Sequence, residues 1–238
     1  GIDRQVYYRK IKRRASKQNK AQEVILMVND IRKTMPRLGT RKLYYLLLDK
    51  LQLMKIGRDK FFDILRANHL LIQPKRSYHL TTNSHHRFRK HQNQILDLEI
   101  NRPEQVWVSD ITYIGKRENP CYLSLVTDAY SKKIMGFYVA DNMNTESSLK
   151  ALKMALKHRN NKTLQLIHHS DRGLQYCANQ YQKQLNKNKI VCSMTQNSDP
   201  YQNAVAERIN GILKQEFSID KYKQKAEIMQ KVVKEAIN

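Results

Sequence analysis

Between Ala21 and Leu70 apolar residues recur every three or four positions. Val24, Ile25, Val28, Ile31 and Met35 form one stripe, Leu43, Tyr44, Leu47, Leu48 and Leu51 a second, and Phe61, Phe62 and Leu65 a third. Breaks fall at Pro36-Arg37-Leu38-Gly39 and at Gly57, so the spacing predicts three short helices joined by compact turns. Gln73 to Asn93 has no clean apolar period and reads as a linker. From Asn101 the pattern shortens to that of strands. Val106–Ile114, Tyr122–Thr127 and Ile134–Ala140 are rich in β-branched and aromatic residues. Thr145–Lys157 then reads as a helix, Leu164–His168 as a strand, Asn179–Asn186 as a helix, Ile190–Met194 as a strand and Asn203–Lys214 as a helix. Near the end Ile228, Val232 and Val233 return to helical spacing.

Three strands, helix, strand, helix, strand, helix is the order of a ribonuclease-H-like domain, an α/β fold in which helices flank a mixed five-stranded sheet. The division expected is a helical helix-turn-helix region over 1–72, a basic linker over 73–103 and the α/β core over 104–238. In a helix-turn-helix unit the later helix enters the major groove of DNA, which puts Arg58 and Lys60 near its N-terminus, and Arg41 and Lys42 before it, among the candidate DNA contacts. An ordinary three-helix bundle would show the same apolar stripes.

Charge separates those two readings. The chain of 238 residues carries a formal net charge of +23, which points to a polyanionic partner. Residues 1–92 hold 23 Lys and Arg against 6 Asp and Glu, and the remainder 21 against 15. The tract Arg9-Lys10-Ile11-Lys12-Arg13-Arg14 is either a solvated helix face or a path along phosphates. A general RNA binder would have this charge too, but it gives no account of the carboxylates described below. The histidines of the linker lack cysteines and ligand-like spacing, which argues against zinc. Cys121, Cys177 and Cys192 are odd in number and widely spaced, as expected of buried thiols rather than a disulfide framework. No stretch has the length of a membrane span and the start has no signal-peptide pattern, so the expected location is cytoplasmic and, by charge, nucleoid-associated.

Three acidic residues interrupt apolar context in ways that ask for a cation. Asp110 breaks the strand Val106–Ile114, and an unpaired buried carboxylate is expensive unless it faces a positive charge. Asp171 follows the strand that begins at Leu164, where a neighbouring strand can present Asp110 beside it. Glu207 lies on the helix 203–214. At about 100° per residue, Val205, Ile209, Ile212, Leu213 and Phe217 gather on one side of that helix, the expected core face. Asn203, Glu207, Asn210 and Lys214 gather on the other. Glu216 falls with the apolar set and is the weaker candidate.

The text around these residues is more specific than their spacing, because 21 acidic residues in 238 put a carboxylate at any chosen offset about one time in eleven. Trp-Val-Ser-Asp-Ile-Thr-Tyr-Ile (107–114), His-His-Ser-Asp-Arg-Gly-Leu-Gln-Tyr (168–176) and Asn-Ala-Val-Ala-Glu-Arg-Ile-Asn-Gly (203–211) resemble the bacterial insertion-sequence transposases that carry a retroviral-integrase-like core. The resemblance is greatest to the insertion sequence three family, and it extends to Tyr122–Ser131 and Ser193–Thr195. It implies DNA cleavage and strand transfer by Asp110, Asp171 and Glu207 acting as ligands of Mg²⁺, or of Mn²⁺ as a substitute, with two ions in the site. It also implies that Asp110 bridges both ions while Asp171 and Glu207 each hold one. Arg208 and Lys214 become candidate DNA contacts. The partners implied are the terminal inverted repeats of the element, target DNA and further copies of the chain. A ribonuclease-H-like nuclease that cuts without joining, and an inactive DNA-binding remnant, are the alternatives. The first residues resemble the tail of a helix-turn-helix unit, and the family's Tyr-Asn element and Arg-Pro-His tract are missing at the other end, so a fragment is expected.

Asp128, within Thr127–Tyr130, reads as a cap on a strand end or as a fourth acidic contributor. His168 and His169 read as phosphate contacts or as supports for the turn that carries Asp171.

Overall fold

A computed structural model describes residues 4–72, 90–116, 119–196, 203–222 and 224–238. The chain divides into two compact units, Gly1–Ser77 with Glu216–Ser218, and Tyr78–Gln215 with Ile219–Asn238.

The first unit is helical, with α1 (Arg4–Thr34), α2 (Thr40–Leu46), α3 (Leu48–Leu53) and α4 (Arg58–Ala67). Its core joins Val24 and Val28 of α1 to Leu43, Leu51, Phe61 and Leu65, all at 0% exposure. The first apolar stripe is thus the inner half of a helix that begins far upstream and includes the basic tract at Arg9–Arg14. The second stripe is divided in two, because Leu47 leaves helical geometry (φ −101°, ψ 7°) between α2 and α3. The Arg32 guanidinium then closes the unit by donating to the carbonyls of Leu70 (2.8 Å) and Leu38 (3.2 Å).

The second unit is a five-stranded mixed sheet with flanking helices. In chain order it comprises β1 (Val106–Lys116), β2 (Asn119–Asp128), β3 (Ile134–Ala140), α5 (Thr145–His158), β4 (Ile167–Ser170), α6 (Leu174–Cys177), α7 (Asn179–Lys187), β5 (Val191–Met194), α8 (Ala204–Gln215), a short 3-10 turn (Ile219–Lys221) and α9 (Ala226–Ile237). The sheet order is β3-β2-β1-β4-β5, with β1 antiparallel to β2 and parallel to β4. This is the ribonuclease-H-like arrangement expected from the element order.

The largest core joins Trp107, Leu152, Leu166, Tyr181, Leu185 and Met194, all fully buried. Each large apolar side chain removed from water contributes about 1.5–3 kcal/mol, so the α5 and α7 side of the sheet anchors β1 and β4 firmly. Helix α5 approaches β3 so closely at Gly136 that a Cβ there would lie 2.1 Å from the Ala151 carbonyl oxygen.

Three expectations shift. The strand expected from Leu164 begins at Ile167, because Arg159 and Arg102 take the carbonyls of Leu164 and Gln165 as loop acceptors (both 2.7 Å). It continues instead through His168, His169 and Ser170, which are polar yet fully buried. Residues 90–103, expected as linker, belong to the second unit. Ile95, Leu98 and Ile100 pack on Val106, Val108, Ala129 and Ala206, and the Gln94 amide donates to Ser193 Oγ (2.8 Å). The linker readings at residues 73–89 lie outside the described residues. Last, the polar strip of α8 expected opposite the core includes residues that face the sheet. Asn203 and Asn210 are buried, and small Ala206 between them admits the close approach.

Among the described residues no helix is long and apolar enough to cross a membrane. All three cysteines are free thiols, with Cys121 and Cys177 buried.

Candidate active site

Strands β1 and β4 pair in parallel from Val106 and Ile167 to Ser109 and Ser170. Asp110 and Asp171 are the next residue on each strand, so this register sets them side by side where the two strands end their pairing, about 4.8 Å apart between strands. The Asp110 carboxylate accepts a hydrogen bond from Asn210 Nδ2 of α8 (2.6 Å). Asp171 is fixed by its own turn, with Oδ1 accepting the Gly173 amide (3.0 Å). A Cβ at residue 173 would lie 2.9 Å from that carboxylate, so a larger residue there would have to displace it.

Burial raises the Asp110 pKa to about 7, helped by Asp171 and, to a smaller degree, by Glu207; the Ile111 amide and Asn210 pull the other way. Glu207, in the first turn of α8, is exposed, and burial raises its pKa as well. The structure therefore brings Asp110 and Asp171 together and places the charge of Glu207 near enough to act on Asp110. Among the described residues no three His, Cys, Asp or Glu side chains stand close enough to hold a metal ion as they are.

Behind the pair lies a buried polar seam. His168 Nε2 lies 2.7 Å from Ser109 Oγ and 2.9 Å from the Tyr181 hydroxyl, which ties β4 to β1 and α7. Burial, then neighbouring His169, lowers the His168 pKa to about 3, so the ring is neutral at physiological pH. His169 Nδ1 meets Ser193 Oγ of β5 (2.8 Å). Both rings are at 0% exposure, which rules out contact with a phosphate and leaves them the supporting role. Asp128 is a cap. At 1% exposure it accepts from the Glu104 amide (2.6 Å) and from the amide and hydroxyl of Ser131 (2.7 and 2.8 Å).

The candidate cations differ in their surroundings. Lys214 turns onto the sheet, donating to Thr112 Oγ1 with its ammonium 4.6 Å from the Tyr113 ring centroid. Burial lowers its pKa, and Asp110 partly restores it. Arg208 is exposed on α8. In the first unit Arg41, Arg58 and Lys60 are exposed, and Arg58 pairs with Asp59 (3.1 Å). Lys42 already holds Glu216 (2.5 Å).

Reading the chain alone passed over Asn210 and Asn203 as site residues. The latter donates to the Ser109 carbonyl (3.3 Å), so two amides pin α8 onto the β1 segment that carries Asp110. Their spacing of seven residues around a small alanine is a sequence signal for two side chains on one buried helix face.

A mixed sheet of this order, with paired carboxylates at the end of its central parallel strands, defines an integrase-type core. Residues 100–200 match the family model of the integrase core domain. A protein of insertion element IS600 from Shigella sonnei is 33% identical over 220 residues, covering 91% of this chain and 79% of its own length. Two transposases, the putative one of IS986/IS6110 from Mycobacterium tuberculosis and InsF of IS3A from Escherichia coli, are each 36% identical, over 119 and 120 residues. The chain spans less than half of the length of each, 43% and 41%. Among solved structures, the catalytic core of BIV integrase aligns over 56% of this chain and 81% of its own at 15% identity (TM-score 0.44). The HTLV-2 integrase core aligns over 47% and 68% at 19% identity (TM-score 0.39). The chain belongs to the insertion sequence three family of transposases with an integrase-like core.

Proposed function

We propose that the protein catalyses metal-dependent cleavage and strand transfer at the ends of its insertion sequence, with Asp110, Asp171 and Glu207 as the catalytic carboxylates. The observation that carries this reading is the β1–β4 register, which sets Asp110 beside Asp171, with the Glu207 charge adding to the cost of ionising Asp110. The donor set suits a hard divalent cation. It consists of carboxylate oxygens, with the neutral Asn210 amide donating to Asp110. Mg²⁺, or Mn²⁺ in its place, would be held by the three carboxylates, with two ions the number that phosphodiester chemistry favours. When bound, the metal neutralises charge at phosphorus and lowers the pKa of water or of a DNA 3′-hydroxyl.

The chain's own residues prepare the site for that chemistry. Ser109, His168 and Tyr181 lock β1 against β4 and so fix the spacing of the two aspartates. Asn203 and Asn210 hold α8 on β1 and bring Glu207 to the same end of the sheet. Lys214, half-buried against Thr112 and Tyr113, keeps a positive charge near Asp110. No side chain need form a covalent intermediate, because water and then a freed 3′-hydroxyl are the two nucleophiles.

The domain plan proposed with this function places a helix-turn-helix DNA-binding region at 1–72, a basic connector beyond it and a catalytic core that takes in residues 90–103 as well as 104–238. Within the first region Arg41, Lys42, Arg58 and Lys60 are assigned to DNA, as are Arg208 and Lys214 of the core. The element's inverted repeats, target DNA and further copies of the chain are the partners assigned. Incubation with labelled duplexes carrying those repeats tests the assignment. Nicked and joined products in Mg²⁺ support it, cleavage without joining favours a nuclease, and binding with neither favours a remnant that occupies the ends.

A further inference from the structure

The second unit carries a groove of about 1460 Å³ where the edge strand β3, α5 and α9 converge. Lys132 and Lys133 enter it from the β2–β3 turn, Lys150, Lys153 and Lys157 from α5, and Lys234 from α9, while among the described residues no Asp or Glu side chain lines it. A lysine row on one helix is usually only its solvated face, and Lys157 also complements the α5 C-terminus. Neither reason covers six lysines that three separate elements bring to one concavity. Two are partly engaged. Lys132 donates to the Ala129 carbonyl, and Lys150 pairs with Glu146 (3.3 Å) at the margin while lying against Tyr138. Lys133, Lys153, Lys157 and Lys234 are exposed.

From this we infer that the groove is a second DNA surface, which takes the phosphate backbone of a duplex away from the acidic site. The inference rests on the proposed function, since it supplies DNA that the reaction already requires. A second copy of the chain docking here would set lysines against lysines, whereas a polyanion releases its counterions on binding. Lys150 to Lys157 spans seven residues of α5, about 10 Å at 1.5 Å per residue, or about three base-pair rises. Its charge comes from lysine ammonium groups, which meet phosphates and carry no sequence information, so binding here is expected to depend little on sequence.

The test uses the full chain with Lys133, Lys153, Lys157 and Lys234 all changed to Gln, checked for an unchanged melting temperature. Equilibrium binding to a 30-base-pair duplex of arbitrary sequence is measured across salt concentrations, and lysine acetylation is mapped with and without DNA. The variant should bind at least about tenfold more weakly at low salt, with the slope of log affinity against log salt reduced in magnitude by about 3 to 4. In the unmodified chain, duplex should protect Lys153 and Lys157 from acetylation. An unchanged slope with unprotected lysines overturns the inference, as does protection by RNA alone or a loss of self-association in DNA-free sedimentation. Asp110→Asn, run in parallel, should leave both readouts unchanged while abolishing cleavage, so failure of the groove and failure of the catalytic assignment are told apart.

Discussion

Replacing Asp110 by Asn should stabilise the metal-free protein, and the size of the gain follows from the site. The Asp110 pKa is about 7 in the fold, against 3.8 as a reference value. Three units at about 1.36 kcal/mol each make ionised Asp110 cost the fold about 4 kcal/mol. The folded pKa lies above the unfolded one, so the unfolded state loses its proton first and stability falls as pH rises through the window from 4 to 7. Asn keeps the shape and can still accept from Asn210, but carries no charge. Its advantage should be about 4 kcal/mol at pH 8, about 1.5 to 2 at pH 5, and under about 1 at pH 4. For a unit of this size 4 kcal/mol corresponds to a melting-temperature gain of roughly 8 to 16 °C. Thermal melts of both proteins in chelator at pH 4, 5 and 8 measure it. A variant that melts lower than the parent at pH 8, or a gain that does not shrink on acidification, would refute the reasoning that burial and the neighbouring carboxylates strain this residue.

Asp171→Asn and Glu207→Gln should each abolish cleavage and joining while end binding, read by gel shift, stays within about twofold; Glu216→Gln, tied to Lys42, should leave the chemistry intact. If Glu216→Gln proves the more damaging, the assignment of the helix carboxylate is wrong. Arg58→Gln with Lys60→Gln should weaken DNA binding and reduce the salt slope by about 2, and an unaltered slope would remove α4 from the interface. Gly136→Ala should cost about 3 kcal/mol or more, since its Cβ meets the backbone of α5. A melt within 2 °C of the parent would show that α5 can retreat at small cost.

Strand and helix order were readable because the sheet residues alternate or run apolar and the helices carry 3.6-residue stripes. Asp110, Asp171 and Glu207 stood out because charge in apolar context needs a reason. What was hidden shares one cause: polar residues buried by pairing with one another. His169 and Ser170 read as lying past a strand that ends at His168, yet they extend β4, because Ser193 engages His169 in the interior as Ser109 and Tyr181 engage His168. Asn203 and Asn210 read as part of a strip away from the core for the same reason. Such pairs lie 13 to 100 residues apart in sequence and have no local period. The place where 90–103 docks was equally unreadable, since Ile95, Leu98 and Ile100 make a pattern too short to separate from a linker.

The central claim is that Asp110, Asp171 and Glu207 form one divalent-cation site. Mn²⁺ titrated into the protein with duplex carrying the element's ends, and followed by electron paramagnetic resonance, tests it directly. The parent should take up Mn²⁺ with loss of the free-ion signal, and Asp110→Asn, bound to the same DNA, should leave that signal almost undiminished. Equal uptake by the two proteins would contradict the claim.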